Sequence, residues 1–339
     1  MLRNLLLKLT LKTPSRLNIQ TNQLYKDFKN CQTTKISFGE KNKDKVFYII
    51  KRSPGAGFFS NVLFVANHLI ICKKKNYIPV VDMQNFPTIY NELNPLKKTT
   101  NAWNYYYENL SDVDLNEVYQ SKNVIITSNN FEPQFEKDLI SKEIKDVFNN
   151  EIKPKIVFQK FIECFSKKNF QNYKVLGVHF RGTSYKRSPG HPLPATKKQI
   201  LKIIKDLILK EKYDKIFLVT EEKNYKEFLV KNFKEKIIFL SSSFRSNSNN
   251  AFKIYPRKNH RYKLGREALI EANLLSKCDG LVYVTSNISS AAITLAKDKP
   301  FKKYKIDNGI NVQNIFISQF IWYLKKILPE KFGGFKLNL

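Results

Sequence analysis

Two residues near the middle of the chain, His179 and Arg181, have the types and spacing needed to work on an anionic substrate. They follow an apolar run, Val175–Val178, that reads as a buried strand. They alternate with Phe180, so both face one side of it. Arginine offers a planar, permanently charged fork that matches phosphate oxygens. A turn-rich loop comes next, with Gly182, Pro189, Gly190, His191, Pro192 and Pro194. In open α/β sheets ligands bind beyond the carboxyl ends of strands. The segment therefore sets an anion-binding group where such a fold would use one. Taken alone, a strand-end histidine is a structural residue.

Other segments offer chemistry beside a plainer reading. Residues 266–296 form an amphipathic helix, with Glu267 and Glu271 one turn apart, then a strand. Thr285-Ser286-Asn287-Ile288-Ser289-Ser290 opens the next helix. Hydroxyls and free N–H groups at a helix start can cradle a diphosphate. The same residues also serve as ordinary caps. Gly55-Ala-Gly57-Phe-Phe-Ser60 follows a strand and opens a helix, and Asp82 ends the next strand. That is the context of a dinucleotide-binding turn, with Ser60 in place of the third glycine. More broadly, amides at this helix start, with Asn61 on the first turn, hold phosphate or a sugar hydroxyl. The bland alternative is a tight turn. Asp112-Val-Asp114 has the DxD spacing of a metal site, but its place before Leu115 reads as helix capping. No metal site is expected. The Glu221-Glu222 pair reads as a solvated or helix-start position.

Periodicity sets these residues on a repeating pattern. Strands are expected at 46–51, 77–81, 124–128, 175–180, 215–220, 236–240 and 281–285. Helices are expected at 58–73, over 140–167 with a break near Pro154, and at 197–212, 222–233, 265–277, 288–297 and 312–328. The stretch 241–263 is polar and irregular, a candidate active-site loop. Alternation of this kind implies parallel sheets with helices on their faces. The economical architecture is two Rossmann-like domains facing a cleft, 1–170 and 171–339.

Composition bounds the partners. The 339 residues carry 59 Lys+Arg against 29 Asp+Glu, a net charge of +30. An anionic partner is the obvious inference. The lysines are dispersed, however, and Asn, Ile, Phe and Tyr, which share A/T-rich codons with lysine, are abundant too. A basic nucleic-acid binder clusters its charge, so nucleic acid is disfavoured. The charge still suits an anionic leaflet. Cys31, Cys72, Cys164 and Cys278 are far apart and read as small buried thiols, as expected in a reducing compartment and not of zinc. The leucine-rich start, MLRNLLLKLTLK, is too short for a span and lacks a cleavage site, which makes the cytoplasm the default. It could lie on a membrane surface.

Together these segments resemble the fucosyltransferase superfamily, which includes the nodulation fucosyltransferase, the α-1,6-fucosyltransferases of N-glycan cores and the protein O-fucosyltransferases. His179-Phe-Arg181-Gly-Thr is similar to their H-x-R motif, and His191-Pro192 to the His-Pro of the α-1,6 enzymes. Leu274-Leu-Ser-Lys-Cys-Asp279-Gly-Leu-Val resembles their run of apolar pair, Ser, two residues, Asp and strand. The early turn with Asn61 resembles the G-x-x-N turn of the O-fucosyltransferases, and Leu218-Val-Thr-Glu-Glu222 a strand of theirs ending in Thr and acids. The likeness is scattered over about residues 45–298. It implies a GT-B arrangement and a GDP-sugar donor, with inversion at the anomeric carbon, no metal and no other cofactor. It further implies that Arg181 neutralises the departing β-phosphate, that His179 and Glu271 contact guanine, and that Ser286 and Asn287 bind phosphate. Where the α-1,6 enzymes carry Arg-Arg-Thr-Asp, this chain has Arg181-Gly182-Thr-Ser184. The missing acid leaves the general base unassigned, and His191 is a substitute with a suitable pKa range.

The expected function is transfer of fucose or a related sugar from a GDP-sugar to a glycan, free or lipid-linked. Arg181 and His191 are the catalytic candidates. Donor contacts are expected from His179, Gly182, Glu271, Ser286, Asn287, Ser289, Gly57 and Asn61. The expected location is the cytoplasm, at the inner face of the membrane. The rivals are a dinucleotide-dependent oxidoreductase built on Gly55, Gly57 and Asp82, and a nucleic-acid or polyanion binder.

Overall fold

A computed structural model describes residues 33–52, 57–128, 142–248, 251–296 and 300–337. The leucine-rich start, Cys31 and Gly55 lie outside these residues. The chain folds as two compact units. The first comprises Met1–Phe158 with Tyr255–Leu269, and the second Gln159–Ile254 with Ile270–Leu339. The first unit thus takes back a segment that a division after residue 170 leaves in the second half.

In the first unit, β1 (Thr33–Ile36), β2 (Phe47–Ile50), α1 (Phe58–Lys75), β3 (Ile78–Val81), the single turns α2 (Trp103–Tyr106) and α3 (Leu115–Val118), β4 (Val124–Thr127) and α4 (Lys142–Asn150) follow in order. The sheet runs β1-β4-β2-β3, with β2 parallel to β3 and β4, and β1 antiparallel at the edge. Each residue of β2 is buried, as its continuous apolar run requires. Trp103, Tyr105, Tyr106 and Tyr107 are buried too, so these aromatics pack this unit's interior and do not offer free faces to a sugar.

The helix α5 (Ile156–Phe170) leads toward the second sheet, made by β5 (Val175–His179), β6 (Lys215–Val219) and β7 (Ile237–Ile238), then β8 (Gly280–Tyr283) and β9 (Lys302–Lys305). Between them stand α6 (Lys197–Glu211), α7 (Lys223–Phe233), α8 (His260–Ser276) and α9 (Asn287–Leu295), and α10 (Ser318–Ile327) ends the series. All pairings are parallel and the order is β7-β6-β5-β8-β9. The chain steps outward from β5 to β7, then crosses back to add β8 and β9 on the other side. Strand order therefore reverses between β5 and β8, and the carboxyl ends of these two strands flank the crevice where such sheets bind ligands. Val178, Ile204, Leu218 and Val282 belong to one buried cluster that fixes α6 against this sheet.

Several expectations need correction. α8 begins five residues before Gly265, because that glycine is a close-packing point and not a helix start. A Cβ there would overlap the Tyr106 hydroxyl. α10 begins at Ser318, not 312, because the Asn314 side chain accepts the Phe316 and Ile317 amides and holds a turn. β7 shrinks to two residues, and the edge strands β1 and β9 were not anticipated. Cys72 and Cys278 are buried thiols as expected, but Cys164 is exposed.

Candidate functional site

The carboxyl ends of β5 and β8 meet through side chains. His179, last residue of β5, pairs in register with Val219 of β6 and Tyr283 of β8. Its ring is buried, and Nδ1 lies 3.3 Å from the Ser286 hydroxyl. Burial, helped by the positive charge of Arg181, pushes the His179 pKa down to about 4, with Glu221 pulling weakly the other way. The imidazole is therefore neutral at neutral pH.

Ser286 is the N-cap of α9. Its hydroxyl accepts the Ser289 amide at 3.2 Å, and its own amide donates to Ser289 Oγ at 2.9 Å, a reciprocal capping box. The Ser289 side chain is wholly buried, with the carbonyls of Ser286 and Val284 in reach of its hydroxyl. The cap reading and the cradle reading of this motif are thus compatible. The cap holds the turn, and the half-buried first-turn residues Asn287 and Ile288 carry amides for which a helix has no internal acceptor. Such an end bears a partial positive charge.

Arg181, just past β5, adds a full charge to the same edge. Its Nε stands 3.8 Å from Glu221, at the end of β6, and its guanidinium lies 3.9 Å from the centre of the Tyr185 ring. The exposed His191 ring is 4.7 Å from that of Tyr185. Partial burial, then the Arg181 charge, lowers the His191 pKa, which keeps a lone pair on its ring near neutrality.

Gly182 occupies a place no larger residue fits. A Cβ would overlap the Glu222 carboxylate and come within 2.8 Å of the Tyr225 ring. Neither neighbour can yield freely. Tyr225 stacks on Phe180 at 3.8 Å, and Glu222 is held by Lys186 at 2.7 Å. Glu222 is buried and is the N-cap of α7, so of its two readings the helix-start one holds and the solvated one does not. Gly182→Ala is expected to cost roughly 2 kcal/mol by overpacking. Denaturant titration checks this, and an unchanged midpoint would show that the Glu222 loop relaxes.

Sequence reasoning missed Tyr185, Lys186 and Arg245. Glu271 accepts the Ser243 hydroxyl at 2.7 Å and lies 3.7 Å from Arg245, whose Nη1 donates to the carbonyls of Leu240 and Ser243. This buried group ties the loop after β7 to α8. Polar letters in an irregular stretch gave no sign of it.

In the first unit, Gly57 caps α1 through its carbonyl, which accepts the Ser60 and Asn61 amides, and Asn61 is buried. Asp82 is fully buried. Its carboxylate accepts the Gln84 and Asn85 amides, the Asn85 side chain and the Tyr119 hydroxyl. It braces the loop after β3, so the dinucleotide reading loses the acid it relied on. Asp114 accepts the Asn116 amide and caps α3, as its position implied. Among the described residues no three His, Cys, Asp or Glu side chains gather as a metal site. Lys51, at the carboxyl end of β2, also escaped notice. It is buried with its ammonium 4.6 Å from the Phe86 ring centre, and burial pushes its pKa down to about 8.

No family model matches the sequence, and no curated protein matches it. Solved structures do. The α-1,6-fucosyltransferase NodZ co-crystallised with GDP aligns at 16% identity over 74% of this chain and 92% of its own, with a TM-score of 0.50. The fucosyltransferase NodZ from Bradyrhizobium aligns at 16% identity over 74% and 93%, again with a TM-score of 0.50. The chain shares the α/β fold of these structures, with its parallel sheets and flanking helices. The resemblance drawn from the His179–Arg181 and Leu274–Val282 segments holds at the level of fold.

Proposed function

We propose that the protein transfers fucose, or a related sugar, from a GDP-sugar to a glycan acceptor, inverting the anomeric centre without a metal. The observation that carries this reading is Arg181 at the strand-order reversal, on the same sheet edge as the first turn of α9. Sugar transfer makes a bond from the acceptor oxygen to the anomeric carbon as the bond to the diphosphate breaks. Negative charge builds on the leaving diphosphate, and an arginine with a helix N-terminus can stabilise it where a metal otherwise would. Attack from the opposite face inverts the centre. His191, kept neutral near pH 7, takes the acceptor's proton. His179 and Glu271 are the candidates for the guanine, and Gly182 lets the Arg181 loop close on Glu222. In the first unit, Gly57 and Asn61 at the start of α1 are candidates for holding a phosphate or a sugar hydroxyl. In this reading the enzyme is cytoplasmic, with a peripheral contact at the inner face of the membrane, and its acceptor is a glycan, free or lipid-linked.

Calorimetric titration with GDP, UDP, ADP and NAD tests the donor. GDP is expected to bind at least tenfold more tightly than the others. Equal affinities, or a preference for NAD, would sink the assignment.

A further inference from the structure

Exposed large apolar residues are concentrated at one place in the second unit. Of 18 such side chains among the described residues, 10 fall between Ile310 and Phe332. Within α10 and the turn before it they form a stripe. At 3.6 residues per turn, Phe316, Phe320, Tyr323 and Ile327 fall on one side. Phe316, Phe320 and Ile327 are 78%, 70% and 81% exposed. Ser318 and Trp322 fall on the other side and are buried, Trp322 against Leu193 and Phe335. The helix is thus docked by one face and carries a second apolar face that the described chain does not cover.

The charges around this helix are mostly positive, although Lys325 turns to the docked side and donates to the Gly333 carbonyl. From residue 310 onward Lys325, Lys326, Lys331 and Lys336 stand against one carboxylate, Glu330. A helix with phenylalanine and isoleucine on one side and lysines beside them has the composition of an interfacial membrane helix. A second copy is a poor occupant, because pairing would bring together lysine-rimmed faces of two chains that each carry +30. An anionic leaflet attracts the same lysines.

We propose that Phe316, Phe320, Tyr323 and Ile327 insert into the interfacial zone of an anionic bilayer, with Lys326 and Lys331 on its headgroups. This gives the membrane contact a location and does not depend on the sugar chemistry.

The test is co-sedimentation of the full chain with vesicles of phosphatidylcholine alone or with phosphatidylglycerol, together with sedimentation velocity without lipid. The wild type is expected to bind only the phosphatidylglycerol vesicles and to remain monomeric. Phe320→Ser with Ile327→Ser is expected to weaken binding at least tenfold, with GDP affinity unchanged. Phe316→Ser, outside the helix, covers the case in which the double variant unfolds, and a threefold loss is expected. Three results would overturn the proposal: no vesicle binding by the wild type, equal binding by the variants, or a wild-type dimer that the variants break. The GDP titration fails or succeeds separately from all three.

Discussion

Arg181→Ala is expected to lower kcat for sugar transfer by about 10²–10³-fold, roughly 3–4 kcal/mol of transition-state stabilisation. The reasoning is differential. A diphosphate bound to a sugar carries less charge at the bridging oxygen than one that is leaving, so an arginine directed at it helps the transition state more than the ground state. GDP affinity should fall as well, since the product carries the developed charge. Arg181→Lys keeps the charge and loses the planar fork, so it should rescue only part of the rate. The side chain is only a quarter exposed and lies against Tyr185, so thermal melts are needed to separate the rate effect from unfolding. Single-turnover kinetics beside thermal melts make the measurement. A kcat within threefold of wild type would show that Arg181 does not face the leaving group.

The second large effect is on stability in acid. In the unfolded chain His179 takes a proton near pH 6.5, but in the folded protein not until about pH 4. Between those values the unfolded state binds more protons, so folding stability is present in full above pH 6.5 and is lost as pH falls toward 4. The window amounts to roughly 3 kcal/mol. Urea unfolding of the wild type and His179→Asn at pH 7, 5.5 and 4.5 isolates this group from the other histidines. The stability advantage of the wild type should shrink by about 2–3 kcal/mol toward the acid end. A gap that stays constant with pH would mean that His179 titrates normally and is less enclosed than the crevice between β5 and β8 implies.

The second unit was largely legible from sequence because its strands are continuous apolar runs and its helices keep a clean period. The expected bounds of β5, β6 and α6 each agree to within one residue, and Thr196 and Gln199 cap α6 reciprocally. What escaped has physical reasons. Thr33–Ile36 and Lys302–Lys305 are short and polar, and they become strands only because a neighbouring strand supplies hydrogen-bond partners. Gly265 resembles a helix boundary in sequence, but it sits inside α8, where it lets Tyr106 approach. At the site, His179, Arg181 and the Ser286 turn could be read because each sits where a strand ends. The Lys186–Glu222 pair, the Tyr185–His191 stack and the Arg245–Glu271 group could not, because nothing local distinguishes such residues from solvated ones. Their meaning depends on which loops the sheet order brings side by side.

The last strand of the second sheet has a further consequence. β9 reads Lys-Lys-Tyr-Lys and closes one margin, with β8 on one side and, among the described residues, no strand on the other. An open margin is a template on which a strand from another molecule can add, and lysine is among the residues that discourage it. Lys302, Lys303 and Lys305 put three positive charges on four consecutive residues there. Lys302 is paired with Glu211 and Lys305 with Asp307, which leaves Lys303 as the charge at this margin that these ion pairs do not engage.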